Sequence, residues 1–319
     1  KTSDMTTSLA PSARPSRSEQ WIGPDSYRIV AKSVDGLGLI QKVCIDPAQY
    51  LAKVMNEHGS VVRFSGTLAP ADMYQRLHGQ EIVQDGAGSA ERLASPFPSD
   101  NVAVWIVEDI PTYLRARPQS LPKLSALASG MLRTHPGRYL IAFPSYQYLQ
   151  DFADHHHPEG HVFRCQQTGM SDAEQQDLLA ELHSNENILL GIVLGGVFGE
   201  SIDLGSTKLS GVIVVGIGLP PPQLQRDLMA GHFDDRDGAG WGELVAYLQP
   251  AMTRVVQAAG RLIRGPTDRG IICLVDPRFT QSRLTNFFPA HWRPHTIRAA
   301  QIEIMTKSFW EHDMPSDAV

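Results

Sequence analysis

The chain has 319 residues, 42% of them hydrophobic and 19% charged, with a formal net charge of −6. That length and apolar content suit one large or two medium domains around a sizeable core, of an ordinary globular kind. A net negative balance argues against a dedicated duplex-DNA binder while leaving room for one local basic groove, and no apolar run reaches the roughly 18 residues that a membrane span needs.

Residues 1–25 open as "KTSDMTTSLAPSARPSRSEQ", polar and rich in Ser and Pro, with no initial Met and no apolar signal-peptide core. They read as a flexible leader or the cut end of something longer. Next, the β-branched run "VVRFSG" (61–66) precedes "TLAPADMYQRLHG", and "NVAVWIV" (101–107) follows a Ser/Pro/Gly loop. A helical pattern "KLSALASGMLRTH" (123–135) leads into the buried-strand pattern "RYLIAF" (138–143). Further on come a helix from Tyr146 to about Asp154, the strand "HVFRC" (161–165), a helix at 172–183, and the strands "ILLGIVL" (188–194) and "GVIVVGI" (211–217). Residues 220–250 break the rhythm and read as an insertion or loop with one short helix. A helix at 253–264 then feeds the strand "GIICLVD" (270–276), and 311–319 form a tail.

Strand–helix–strand alternation with continuously apolar strands predicts an α/β fold, a parallel sheet with helices on both faces. The pattern implies one domain over 26–310 without internal repeats. In such sheets ligands sit beyond the C-terminal ends of the strands, so functional residues are expected just after each strand.

Three widely spaced cysteines, Cys44, Cys165 and Cys273, form no C-x-x-C pair. This argues against a disulfide framework and a cysteine-built metal site, and points to a reducing cytoplasm. In "DHHHPEGH" (154–161), three adjacent histidines cannot all face one ion, so the stretch reads as a polar loop and no metal site is expected.

The sharpest signal is "QAAGRLIRGPTDRG" (257–270). On a helix over 253–264, Thr253, Gln257, Gly260, Arg261 and Arg264 share about a third of the circumference, opposite Val255, Ala259, Leu262 and Ile263. No Asp or Glu lies between Ala251 and Thr267. Taken alone, this is a solvated basic face, yet exposed surfaces normally mix signs. Gly260 in a helix interior costs roughly 1 kcal/mol relative to Ala, which suggests close approach of something to the backbone. Guanidinium forks match phosphate oxygens.

With its continuation to "CLVDPRF", this stretch resembles motif VI of superfamily 2 DNA helicases of the XPD/DinG type, spelled Q-x-x-G-R-x-I-R-G-x-x-D-x-G, a strand, then D-x-R-F. "FSGTLAP" (64–70) resembles motif III, with the S-G-T-L spelling leaning to the XPD side. "SPFP" (95–98) and "FPSY" (143–146) resemble the linking segment and motif IV. "LGGVFGESIDLGSTKLSGVIVVGIGLPPP" (194–222) resembles motif V, with Ser201 where glycine is usual.

The resemblance covers roughly residues 26–310 and implies the second RecA-like lobe of a helicase motor. It implies that Arg261 and Arg264 are fingers to the γ-phosphate of ATP held on the first lobe, with Gln257 and Gly260 near the nucleotide. Asp203, and Glu200 beside it, would lie between nucleotide and nucleic acid. Ser65, Thr67, Ser145 and Tyr146 would contact single-stranded DNA, by phosphate contacts that position without reading bases. Asp276 and Arg278 read as structural support. The resemblance also implies 5′→3′ movement.

No segment spells the phosphate-binding G-x-x-x-x-G-K-[S/T], no acidic D-E-x-H box is present, and no four-cysteine iron–sulfur cradle occurs. ATP and Mg²⁺ are therefore expected mainly on a missing N-terminal RecA-like lobe, where an iron–sulfur cluster would also belong. The chain is expected to be part of a longer helicase, inactive by itself. The alternative is a non-catalytic RecA-like module that binds nucleic acid or protein.

Overall fold

The computed structural model describes residues 26–34, 37–82, 89–196, 198 and 207–311. The chain divides into two compact units, Lys1–Arg92 with Pro220–Gln249 and Leu93–Leu219 with Pro250–Val319.

In the first unit, β1 (Tyr27–Val34) and β2 (Leu37–Cys44) form an antiparallel pair, in register from Tyr27↔Cys44 to Val34↔Leu37. Helices α1 (Ala48–Asn56) and α2 (Ala71–Leu77) follow. Asp46 is the polar knot of this unit: buried, it accepts bonds from the Ala48 N–H (3.0 Å) and the Arg236 guanidinium (2.6 Å), with His232 Nε2 3.0 Å away.

The second unit contains the main sheet. Its strands are β3 (Val102–Val107), β4 (Arg138–Phe143), β5 (Val162–Cys165), β6 (Ile188–Val193), β7 (Gly211–Val215), β8 (Gly270–Val275) and β9 (Pro294–Ile297). The helices between are α3 (Arg117–Thr134), α4 (Tyr146–His155) and α5 (Asp172–Ser184). The chain then returns to the first unit as α6 (Leu224–Asp237), and α7 (Gln249–Ala259) precedes β8. Helix α8 (Ile302–Glu311) closes the described chain.

All seven strands are parallel, in the order β5-β6-β4-β7-β8-β3-β9. Every residue of β6, β7 and β8 is buried, as their unbroken apolar sequence requires when both faces are covered. One face presents Trp105, Tyr139, Ile141, Phe143, Ile213 and Cys273 to a core completed by α3, α4 and α8. The alternate set, including Val104, Leu140, Leu190, Val212 and Ile272, is equally buried. This is the RecA-like parallel sheet the sequence predicts.

Three local expectations are corrected. "VVRFSG" forms no strand among the described residues; Val62 and Phe64 are 84% and 91% exposed. A strand exists only by pairing, and β1 and β2 pair with each other. Residues 220–250 hold a fourteen-residue helix, α6, rather than a loop with one short helix. Its polar, Asp-rich sequence gives little apolar periodicity to recognise, and Phe233 is its buried anchor. Finally, α7 ends at Ala259, five residues before the expected Arg264.

Candidate functional site

The early end of α7 reshapes the arginine segment. The Gly260 N–H still reaches the Val256 carbonyl at 2.8 Å, but Arg261 and Leu262 bond three residues back, to Ala258 (3.3 Å) and Ala259 (3.1 Å), the tightening typical of a helix terminus. Gly260 is therefore outside the helix interior, and a Cβ there would meet the helix's own Val256 oxygen at 3.1 Å. Gln257 is exposed in the last turn, Arg261 half-buried in the turn and Arg264 exposed in the loop, so the expected two-turn basic face is replaced by a helix end and a loop.

Two anchors give that loop its form. Leu262, buried, inserts between the arginines; its Cδ1 lies where a side chain on Gly270 would project, 2.6 Å from that Cβ position. Asp268 accepts the main-chain N–H groups of Arg264 (2.9 Å) and Gly265 (2.8 Å). The Arg264 guanidinium donates to the Thr207 carbonyl at 3.0 Å, and the Thr207 hydroxyl bonds His183. Lys208 reaches Thr267 Oγ1 at 3.1 Å. Main chain and side chain of Arg264 are thus both positioned while the residue stays exposed.

Because the strands are parallel, residues just before β7 and β8 lie at the N-terminal edge of the sheet. Gln257, Arg261, Arg264 and Thr207 are there, opposite to the edge expected. A crossover helix runs back against the strands, so the end of α7 necessarily meets the start of β8.

Ser145 and Tyr146 follow β4 at the C-terminal edge. Ser145 caps α4, its Oγ accepting the Tyr148 N–H. Tyr146 is exposed, its hydroxyl accepting from Gln166 Nε2 (2.9 Å) while Gln166 Oε1 accepts the Val193 N–H (3.1 Å). That buried glutamine ties the ends of β4, β5 and β6 together and carried no motif signal. Ser65 and Thr67 belong to the first unit. They do not follow a strand; their hydroxyls lie 3.2 Å apart in the turn leading to α2. Glu200 and Asp203 lie outside the described residues.

At the C-terminal end of β8, Asp276 is fully buried and takes Arg278 Nε (2.8 Å), Arg278 Nη2 (2.9 Å), the Thr112 N–H (3.1 Å) and the Thr112 hydroxyl. Burial opposes its ionisation, but the Arg278 and Thr112 bonds outweigh that and hold its carboxyl below the usual range. Asp276 and Arg278 thus pair with each other and bind the loop after β3, at the far end of β8 from the arginine loop. In the 154–161 stretch, His155 and His157 are exposed but His156 turns inward. It stacks on Phe152, bonds Ser125 Oγ (2.9 Å) and His161 Nε2 (3.0 Å), and burial lowers its pKa to about 4. Among the described residues no group of three or more His, Cys, Asp or Glu side chains is placed to hold a metal ion, and no helix is long and apolar enough to cross a membrane.

Residues 129–295 match the family described as the helicase C-terminal domain. The chain belongs to that family. It is 25% identical over 240 residues to the ATP-dependent DNA helicase XPD of Sulfolobus acidocaldarius, covering 72% of this chain and 41% of that protein. It is 26% identical over 266 residues to the general transcription and DNA repair factor IIH helicase subunit XPD/RAD3 of Saccharomyces cerevisiae, covering 77% of this chain and 33% of that one. A solved XPD helicase structure covers 84% of this chain and 48% of its own, with a TM-score of 0.58 at 20% identity. The chain thus spans less than half the length of these two curated relatives.

Proposed function

We propose that the chain is the second motor lobe of an ATP-dependent DNA helicase of the XPD type, which presents Arg261 and Arg264 to a nucleotide bound on a first lobe. The observation that carries this reading is the loop built by Asp268, Leu262 and Thr207, which fixes the path of both arginines at one edge of the sheet and leaves Arg264 exposed. Hydrolysis of ATP requires charge on the phosphate oxygens to be neutralised as it grows, and a preorganised guanidinium does so without reorganising during reaction. Gln257, in the last turn of α7, and Gly260 beside it stand next to the fingers. Asp203 and Glu200 would link this edge to the nucleic-acid track.

ATP and Mg²⁺ belong mainly to the first lobe in this reading, since no phosphate-binding loop is spelled in this chain. Ser145 and Tyr146 would contact single-stranded DNA, Ser65 and Thr67 are each read as further contacts to it, and movement would be 5′→3′.

Arg261→Ala and Arg264→Ala in the full-length protein test the assignment. Each is expected to lower DNA-stimulated kcat by about 10³-fold or more with nucleotide affinity nearly retained. Undiminished kcat in both would reject the finger role and favour the non-catalytic module.

A further inference from the structure

We propose that Tyr113 and Leu114, at the tip of the loop between β3 and α3, form a stacking platform for a base of single-stranded nucleic acid; this rests on the motor-lobe reading above. The loop leaves the C-terminal edge of the sheet, where ligands of parallel sheets gather and where Ser145 and Tyr146 also sit. Between β4 and β3 lie β7 and β8, so the two loops start about 14 Å apart at ordinary strand spacing.

Tyr113 is 47% and Leu114 75% exposed. One exposed apolar residue needs no explanation, but this pair is exposed on a rigid mount. The Arg278 guanidinium lies over the Tyr113 ring, 4.4 Å from its centroid, and is itself held by both oxygens of buried Asp276. Asp276 also grips Thr112 through its N–H and hydroxyl. On the far side, Thr112 leaves no room for a side chain at Gly216 (φ +75°), where a Cβ would lie 2.6 Å from the hydroxyl. The Tyr113 carbonyl accepts the N–H groups of Ala116 (2.8 Å) and Arg117 (3.1 Å), which starts α3. The ring is therefore ordered before any ligand arrives, which lowers the entropic cost of binding.

The charges beside the tip suit the same ligand. Arg115 is exposed immediately after Leu114. The two nearby carboxylates are engaged elsewhere, Glu108 with Arg298 at 4.0 Å and Asp109 with the Ala299 N–H at 2.8 Å. An aromatic face for the base and a guanidinium for the phosphate are the pairing by which single strands are held without sequence preference.

The test compares wild type, Tyr113→Ala and Tyr113→Trp in the full-length protein, by fluorescence anisotropy on an oligothymidylate and on an abasic strand of equal phosphate count. Tyr113→Ala is expected to bind the oligothymidylate about tenfold more weakly and the abasic strand within about twofold of wild type. Tyr113→Trp should retain affinity and show extra fluorescence quenching on binding the thymidylate only. Undiminished thymidylate binding by Tyr113→Ala, or an equal loss on both strands, overturns the platform while leaving the motor-lobe reading intact. Failure of wild type to bind either strand would sink both.

Discussion

At the scale of single residues, buried polar groups in this domain are held in the protonation state that their partners prefer. His156 is neutral in the fold: burial lowers its pKa from 6.5 to about 4, with the neighbouring imidazoles of His161 and His157 adding to the shift. The unfolded chain binds that proton more readily, so stability falls as pH drops from about 6.5 towards 4. Asp276 acts lower on the scale. Its carboxyl is held below the ordinary 3.8, so its contribution persists above that value and is lost as acid protonates it. Thermal midpoints should therefore decline between pH 7 and pH 5, and His156→Gln, which can still bond Ser125 and His161, should flatten that decline. An unchanged slope in the variant would exclude His156 as its source. Among the sequence signals, the D-x-R-F spelling pointed to Asp276 and Arg278, whereas Gln166 and Thr112 were illegible because their roles depend on partners 27 and 164 positions away.

At the scale of elements, the sheet tolerates little added volume. Gly191, in the middle of β6, faces Leu149 of α4; a Cβ there would sit 2.6 Å from Leu149 Cδ1 and 3.1 Å from Cys165 Cβ. Gly191→Ala should cost about 1–3 kcal/mol, read from denaturant unfolding, because helix and strand are both pinned. A variant as stable as wild type would mean that the Leu149 side chain repacks at little cost. Strands β3, β4, β6, β7 and β8 were legible because burial on both faces demands unbroken apolar runs, whereas β5 is only partly buried, with Arg164 exposed. The β1–β2 pair and short β9 were not: the pair's exposed Ile29 and Ile40 mix with charges, and β9 is mostly exposed. The reach of α7 was misjudged because the amphipathic pattern continues through Leu262, which is buried as a loop anchor rather than as a helical residue.

At the scale of the whole molecule, the parallel sheet was legible from the alternation of apolar strands with helices, and the family chiefly from the spacing of motif VI, since few folds need that order of glutamine, glycine and arginines before a buried strand. Which edge of the sheet bears the arginines was not, because it follows from strand direction rather than composition. If the chain is one lobe of a two-lobe motor, the purified 319-residue polypeptide should hydrolyse no ATP above background with or without single-stranded DNA. Robust DNA-stimulated turnover by this polypeptide would refute the division of labour.

Strand β8 joins the arginine loop to the loop that carries Arg278. Gly270, at its beginning, abuts Leu262 in the arginine loop; Asp276, just past its end, locks Arg278 under Tyr113. Six residue steps of extended chain, about 20 Å, separate them, with Val275, Leu274 and Cys273 tightly enclosed between β3 and β7. A strand paired on both sides along its whole length is held in register, and a slip along its axis would displace both loops by the same amount.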